Sequence, residues 1–482
     1  MTVDQTEPAQ CAVAVPSAQR GSEVVLPFAG LSLFVLLVAL LYPGMLNFDT
    51  AEMLNQAVLG YCKDWHSPGI VLLWRGLNLL MPGPASLLIF GLGLFLTGGV
   101  WFVRRVVSHP IAGFASLSLL CLWPPILNDL ALVGKDQAFI ACLMLFLALL
   151  VHCRYEGRLS GPCLAFLAAL LFSSCAVRQD SAVILIPSLI LLFRLPVGGR
   201  INCLSWKQAT ALAAFSVVVA FALVGAFNRF VVRAVPTFPI QTTLVHDLAG
   251  ISVQTGHLLM PDYAQPGLTL DEVRSRYVPR SGDPILFDGG RPRVPLTYDK
   301  TEEQGLKHLW LRSVLRYPRA YLQHRAATFL SLIDIDDPLD FQLYQPDTDG
   351  SMRRAYPGLS EINIANPDNA ALSLYRDQVM PTLLPTPMFR GYAYDSAILL
   401  LLGVALLRRR GHRDTIIAAL ATGALLHQAA LFFASPAALF RYLYPSVLIL
   451  LAMAILTLAP APRLRNVPVR NFPFRLRFSL SR

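Results

Sequence analysis

Four ionisable residues stand close together directly after the first long apolar segment of the chain. The stretch 47–74 contains Asp49, Glu52, Asp64 and His66. A charged side chain near the centre of a bilayer costs about 2.5–3.5 kcal/mol even on a lenient insertion scale, so such groups beside apolar segments call for an explanation. Carboxylates can accept a proton from a hydroxyl group, and histidine can donate a hydrogen bond to a phosphate oxygen. These residues are our first candidates for an active site.

Each of these residues also has a structural interpretation. Asp49 and Glu52 have the spacing of a helix capping box and would share one helix face with Gln56. Capping and catalysis are compatible, and the sequence leaves both open. Asp64 and His66 lie in a polar turn that leads into an apolar segment. Because this turn follows Asp49 so closely, we favour a functional role in which Asp64 orients His66 or binds a sugar.

Two later turns carry further charges. Lys135 and Asp136 begin an apolar segment and form either a local ion pair or part of a site for a lipid phosphate. Arg178 and Asp180 lie in a tight turn between two apolar segments. They either neutralise each other or project into the same site, where arginine would bind phosphate in bidentate fashion. We favour the functional interpretation for both turns.

The last charged turn precedes the final apolar segment and contains Arg441 and Tyr442. Tyrosine at this position is typical of an interfacial aromatic belt, whereas Arg441 is a candidate phosphate ligand. The acidic run 334–337 has metal-ligating residue types, but a solvated acidic loop explains it better. We expect neither a metal nor a cofactor.

Composition limits the classes of protein to which the chain can belong. Of its 482 residues, 55% are hydrophobic and 15% are charged. This balance excludes an ordinary soluble globular protein and predicts an all-α polytopic membrane protein. The net charge of +10 comes largely from short basic clusters between apolar segments. Such clusters are typical of contacts with lipid headgroups, so nucleic-acid binding is disfavoured.

About ten transmembrane spans are predicted from the apolar segments. They lie near 24–42, 85–103, 111–128, 137–152, 162–177, 181–195, 208–231, 393–408, 414–433 and 437–458. A shorter segment at 68–81 is predicted to be interfacial or re-entrant. If it crossed the bilayer, three arginine clusters would face outward, against the positive-inside rule. The resulting topology places both chain ends in the cytoplasm and every candidate site residue on the outer face of the plasma membrane.

This topology divides the chain into five parts. They are a cytoplasmic tail (1–23), an N-terminal transmembrane catalytic module (24–233) with a first outer loop (43–83), an extracytoplasmic domain (234–392), C-terminal transmembrane helices (393–458) and a basic cytoplasmic tail (459–482). Within the extracytoplasmic domain, Pro318 is predicted to separate two amphipathic helices, the second running from about Arg319 to Ile333.

The chain resembles the polyprenyl-phosphate-sugar-dependent membrane glycosyltransferases of the GT-C fold. Protein O-mannosyltransferases and lipid A aminoarabinose transferases belong to this class. The resemblance rests on Asp49 after the first apolar segment, on the Asp64–x–His66–x–Pro68 element, and on the three later charged turns. The overall architecture fits, although the matching motifs are short. Relative to the family, Glu52 follows Asp49 by three residues instead of adjoining it, and Ser67 replaces the first proline of His-Pro-Pro.

The resemblance implies transfer of a sugar from a polyprenyl-phosphate donor to a glycan, lipid or protein acceptor on the periplasmic side. Asp49 would be the base of a single inverting displacement, with Glu52 as a second candidate catalytic carboxylate. Lys135, Arg178 and Arg441 would stabilise the departing lipid phosphate. The alternative is a transporter or lipid flippase, in which charges would line a pathway near the bilayer midplane. The predicted clustering of charges at one face favours the enzyme.

Overall fold

The structure is a computed structural model and describes residues 17–197, 203–264, 267–288, 291–292, 294–334, 350–364, 369–408 and 411–459. Nearly all regular structure in these residues is helical. The only paired strands within these ranges are Phe287–Asp288 and Arg291–Pro292, which are antiparallel. The predicted all-α class is therefore confirmed for the described part of the chain.

Six helices in the described residues are long and apolar enough to cross a bilayer. They are Pro84–Val106, Lys135–Glu156, Trp206–Val232, Gly391–Arg408, His412–Ala434 and Phe440–Leu458. A seventh candidate is the pair Pro110–Leu122 and Pro124–Ala131, whose axes differ by 59°. Pro124 explains this break, because proline lacks the amide hydrogen that would continue the helix. By length and composition these helices make the chain a multi-pass membrane protein.

The other three predicted spans coincide with shorter apolar helices. They are Val25–Leu41, Gly161–Val177 and Ala182–Phe193. The first belongs to the longer helix Ser17–Leu41. The last begins as the 3-10 helix Gln179–Leu185 and continues as the α-helix Ile186–Phe193. All three are shorter than the roughly 20 residues of a typical span, so their lengths alone do not establish a crossing.

The segment predicted to lie at the interface, 68–81, forms the helix Pro68–Asn78. Ser67 caps it, since its hydroxyl accepts a hydrogen bond from the Ile70 amide. Eleven helical residues extend about 16 Å, well short of a hydrocarbon core of about 30 Å. The length therefore agrees with the prediction that this segment does not cross. Trp74 anchors the helix by donating from Nε1 to the Gly83 carbonyl at 3.0 Å.

The helices Pro84–Val106 and Lys135–Glu156 pack at the centre of the bundle. Gly98 lies so close to the second helix that a Cβ atom at this position would be 2.8 Å from the Leu145 nitrogen. In membranes, small residues let helices approach closely and gain van der Waals contacts. This packing positions the first turn of Lys135–Glu156, which carries two of the predicted site residues.

Residues 234–392 were predicted to be extracytoplasmic and are called the polar region below. Only their first part has a hydrophobic core of its own, because Met352, Leu359, Leu372 and Met380 belong to the core of the apolar helices. This core includes Leu244, Leu248, Met260, Val273, Ile285 and Leu306. The helices of the polar region are Ile240–Thr255, Leu270–Arg276, Asp283–Leu286, Lys300–Arg316, Pro318–Leu332, Ser351–Ala355, Ala370–Leu374 and Met380–Leu383. The predicted break at Pro318 is confirmed, because one helix ends at Arg316 and the next begins at Pro318.

The polar region contacts the turn that precedes the last helix. The Ala438 amide donates to the Arg280 carbonyl at 2.6 Å. Arg325 Nη1 donates to the Ser435 carbonyl at 2.7 Å. Backbone bridges also join Lys63 to Val235 and Met45 to Leu132. Segments that are distant in sequence are thus held together around the predicted site.

Candidate active site

Asp49 lies in the first turn of the helix Phe48–Leu59, and its carboxylate does not cap that helix. Asn47 is the capping residue, because its Oδ1 accepts from the Thr50 amide at 2.9 Å. Thr50 Oγ1 accepts in return from the Asn47 amide at 2.8 Å. The capping box that the sequence left open for Asp49 and Glu52 is therefore formed by Asn47 and Thr50 instead. Both carboxylates remain available for other contacts.

Asp49 forms an ion pair with Arg441 from the far end of the chain. Arg441 Nη2 lies 2.9 Å from Asp49 Oδ2, and 34% of the Asp49 side chain remains exposed. Burial raises the pKa of Asp49, but the charges of Arg441, His66 and Lys135 outweigh burial and bring this pKa well below its usual range. Asp49 is therefore ionised at neutral pH, with Arg441 as its main partner.

Arg178 forms an ion pair with Asp136, and both side chains are buried. The Tyr442 ring centre lies 5.0 Å from the Arg178 guanidinium carbon and 5.6 Å from that of Arg441. An aromatic face attracts a guanidinium group, so Tyr442 holds the two arginines near each other. Of the two interpretations of Lys135 and Asp136, the structure does not have the local ion pair, because Asp136 pairs with Arg178 from another turn.

Lys135 provides a cation that has no paired carboxylate in the described part of the chain. It follows Gly134, which has φ of +155° and lies so close to Thr50 that a Cβ would be 2.6 Å from its methyl group. The half-buried Lys135 ammonium interacts electrostatically with Asp49 and Asp136. Within the described residues, however, no carboxylate oxygen lies within 4.0 Å of Nζ. Such a cation can bind an anionic group.

Glu52 and His66 form a second pair beside Asp49. His66 Nε2 lies 3.3 Å from Glu52 Oε2, and Lys63 Nζ lies 3.5 Å from Glu52 Oε1. Burial raises the pKa of Glu52, but the hydrogen bond and charge of His66, together with Lys63, lower it below its usual value. His66 Nδ1 is buried and has no hydrogen-bond partner among the described residues. The imidazole ring therefore keeps one unsatisfied nitrogen beside the Asp49 carboxylate.

Asp64 has a structural role that the sequence did not indicate. Its Oδ1 accepts from the Thr237 amide at 2.6 Å and from the Thr237 hydroxyl at 2.5 Å. It thus joins the first loop to the start of the polar region. The prediction that Asp64 orients His66 is wrong, because Glu52 occupies that position.

The structure brings most of the predicted residues together. Asp49, Lys135, Asp136, Arg178, Arg441 and Tyr442 form one group, called the Asp49 cluster below, with Glu52 and His66 beside it. The side chain of Asp180 and the residues Asp336 and Asp337 lie outside the part of the chain that the structure describes. The cluster combines an ionised carboxylate with several cations. A carboxylate can accept a proton, and cations held in place can stabilise an adjacent anion.

Sequence reasoning missed Asp129 and Lys63. Asp129 is completely buried and interacts electrostatically with Asp136, Arg178 and Arg441. The available signal was an aspartate directly after the predicted span 111–128, which in the structure belongs to the short helix Pro124–Ala131.

In the described residues, no group of three or more His, Cys, Asp or Glu side chains is arranged to hold a metal ion. Comparison of the chain with protein-family models, with curated protein sequences and with solved structures gives no significant match.

Proposed function

We propose that the protein is an integral-membrane glycosyltransferase of the GT-C type. It moves a sugar from a polyprenyl-phosphate donor to an extracytoplasmic acceptor by inverting displacement. The observation that supports this proposal best is the convergence of Asp49, Lys135, Arg178 and Arg441 from four separate turns. An acid and several cations at one place fit a reaction that takes a proton from one substrate and releases a phosphate from the other.

Asp49 is the base in this scheme. The acceptor hydroxyl oxygen attacks the anomeric carbon and its proton passes to Asp49, while the bond from that carbon to the phosphate oxygen breaks. The electron pair of that bond stays on the phosphate, which leaves as polyprenyl phosphate with one additional negative charge. Cations fixed in advance stabilise that charge without reorganisation.

The ion pair with Arg441 makes the basicity of Asp49 depend on the donor. While Arg441 lies 2.9 Å away, the pKa of Asp49 is low and the carboxylate is a weak base. A donor phosphate competes with Asp49 for the same guanidinium group. When Arg441 turns to the phosphate, the pKa of Asp49 rises towards its usual value, so the base becomes effective only when a donor is bound.

Lys135 is the first contact for the donor phosphate, since no described carboxylate pairs with it. Arg178 is held by Asp136 and Tyr442, which fixes the orientation of its guanidinium group in the cluster. His66 Nδ1 offers a further contact to phosphate or sugar.

The proposal includes an arrangement of the chain in the membrane. All ten apolar segments cross the plasma membrane, both ends are cytoplasmic, and the Asp49 cluster faces the periplasm. Leu79 and Leu80, each 86% exposed after the helix Pro68–Asn78, lie in the interface and contact the polyprenyl tail. The polar region binds the acceptor above the cluster.

The test is transfer by purified protein supplied with labelled polyprenyl-phosphate sugars and a membrane extract as the acceptor source. Asp49→Asn should reduce transfer by about 10²–10⁴-fold, the usual contribution of a general base. Its matched control is Asp271→Asn, which changes a carboxylate that is 91% exposed and should leave transfer unchanged. Near-normal transfer by Asp49→Asn, with correct insertion, would remove the base assignment.

A further inference from the structure

One arginine at the far end of the helix Lys135–Glu156 has no counterion in the described part of the chain. Arg154 is half-buried, and its Nε is buried without a hydrogen-bond partner among the described residues. No described carboxylate oxygen lies within 4.0 Å of its nitrogens. Helix geometry places Arg154 about 28 Å along the axis from Lys135, which is close to the thickness of a bilayer core. It therefore lies at the membrane face opposite the Asp49 cluster.

The charged surroundings of Arg154 are unusual for an arginine with little exposure. Two comparable arginines each have a carboxylate, because Arg325 lies 2.8 Å from Asp247 and Arg441 lies 2.9 Å from Asp49. Among the described residues, the titratable groups within electrostatic range of Arg154 are Arg194 and His412, and neither is an acid. The adjoining stretches 198–202, 409–410 and 460–482 contain no Asp or Glu either. A charge that is withdrawn from water without a partner costs free energy, so Arg154 calls for an explanation.

A structural explanation would be the helix dipole. Arg154 lies in the last turn of its helix, where a cation is favoured. The dipole would favour a fully exposed arginine at this position just as well. It therefore explains neither the buried Nε without a partner nor the presence of a second arginine within electrostatic range.

The neighbours of Arg154 are arranged to offer further hydrogen-bond donors. Arg154 Nη2 lies 3.2 Å from His412 Nδ1. Because arginine can only donate, Nδ1 is the acceptor, and a neutral His412 carries its proton on Nε2. The Arg194 guanidinium carbon lies 4.1 Å from the centre of the Trp206 ring. This stacking fixes the plane of the guanidinium group, whose N–H groups point outward from its edge.

We propose that Arg154, Arg194 and His412 bind a phosphate group, and we call these three residues the Arg154 site. A guanidinium group fits phosphate because its N–H groups donate in parallel to two oxygens. A phosphate beside Arg154 supplies the negative charge that this residue lacks and accepts from its buried Nε. This inference concerns the membrane face opposite the Asp49 cluster and goes beyond the proposed function.

The surroundings favour a lipid headgroup as the source of the phosphate. Leu458 is 82% exposed at the end of the helix Tyr444–Leu458 and is followed by Ala459. Arg413, the residue after His412, donates from Nη1 to the Ala459 carbonyl. Exposed apolar surface therefore adjoins the Arg154 site. A phosphate that carries acyl chains gains hydrophobic contacts there, which a phosphate free in solution does not.

Binding to the purified full chain in detergent tests the inference with three probes. They are short-chain phosphatidylglycerol, phosphatidylcholine with the same chains, and inorganic phosphate. Phosphatidylglycerol should bind saturably and more tightly than phosphatidylcholine, whose choline group neutralises its phosphate. Inorganic phosphate should compete with phosphatidylglycerol but bind more weakly. If inorganic phosphate bound as tightly, the lipid source would be wrong, and if no probe bound saturably, the site itself would be refuted.

Two variants separate the Arg154 site from general attraction to a basic surface. Arg154→Gln should weaken phosphatidylglycerol binding by about 10–150-fold, the range for a hydrogen bond to a charged group. Arg105→Gln is the matched control, because it removes one positive charge from the same end of the bundle. Arg105 already pairs with Glu156 at 3.0 Å, so its loss should change the affinity by no more than a few-fold. Equal losses in the two variants would overturn the proposal.

Thermal unfolding distinguishes ligand binding from a structural role for Arg154. Without anionic lipid, Arg154→Gln should unfold at the wild-type temperature or above it, because the variant lacks an unpaired charge. Phosphatidylglycerol should then raise the unfolding temperature of wild-type protein and have little effect on the variant. A variant that fails to fold, or that is less stable than wild type without lipid and gains as much from phosphatidylglycerol, would contradict the proposal.

Discussion

Two groups of charges among the described residues differ in their exposure and in whether each cation has a paired carboxylate. In the polar region, Asp247 is fully buried and its Oδ2 accepts from Trp310 Nε1 and Arg325 Nη2, both at 2.8 Å. His324 Nε2 lies 3.1 Å from the other oxygen. In the Asp49 cluster, by contrast, Asp49 is partly exposed and Lys135 has no paired carboxylate among the described residues.

This difference separates a structural group of charges from a binding site. The Asp247 group is fully buried and out of reach of a ligand, although Asp247 Oδ1, His324 Nε2 and Arg325 Nε have no hydrogen-bond partner among the described residues. An exposed carboxylate and an unpaired cation leave positions that a substrate can fill. The Asp247 group also connects the polar region to the turn before Arg441, since Arg325 donates to the Ser435 carbonyl. It therefore holds part of the site in place without joining it.

The largest effect on folding is expected from Asp247→Asn. Removing one charge of a buried pair leaves Arg325 without its counterion and costs about 3–5 kcal/mol. The polar region should unfold at lower temperature or denaturant concentration than in wild type. Asp262→Asn, which changes an exposed aspartate, is the matched control. Unchanged stability of Asp247→Asn would remove the distinction drawn between the two groups.

Acidification should also act on the polar region first. Burial and the adjacent His324 charge lower the pKa of His246 to about 3. The unfolded chain therefore binds a proton at this residue from about pH 6.5 downward, whereas the folded chain does not. Stability is complete above that pH and declines as the pH falls towards about 3. Hydrogen exchange corrected for intrinsic rates should show earlier opening of 240–332 at low pH, and His246→Gln should reduce this sensitivity.

Lys135→Ala should affect binding and leave folding intact. A hydrogen bond to a charged group contributes about 1.5–3 kcal/mol, so the KM for the donor should rise by roughly 10–150-fold. Lys135→Arg should retain most of the affinity. If Lys135→Ala lowers the stability of the protein and leaves the KM for the donor unchanged, Lys135 has a structural role and does not bind the donor.

Tyr442→Leu should have the smallest effect. Loss of its contacts with Arg178 and Arg441 removes about 0.5–2 kcal/mol of cation–π attraction. Donor KM should rise by a few-fold to about 30-fold. Tyr442→Phe keeps the ring and should behave like wild type. If the Phe variant is as impaired as the Leu variant, the hydroxyl group is the important part.

The sequence predicted which charges meet but not how they pair. Charged residues at the ends of apolar segments must lie near the membrane boundary, so the convergence of Asp49, Lys135 and Arg441 could be expected. The partners could not, because Asp49 and Arg441 come from opposite ends of the chain and local patterns do not encode such contacts. For the same reason, local spacing suggested a capping box for Asp49 and a link between Asp64 and His66. Helix positions were predictable because hydrophobicity and Pro318 act locally.

The most direct measurement follows the fate of a doubly labelled polyprenyl-phosphate sugar in proteoliposomes containing the purified protein. If the protein is a glycosyltransferase, the lipid label should be recovered as polyprenyl phosphate and the sugar label on an acceptor, in equal amounts. If the intact donor instead crosses the bilayer with both labels still joined and no phosphate is released, the protein is a lipid flippase and the transfer mechanism is contradicted.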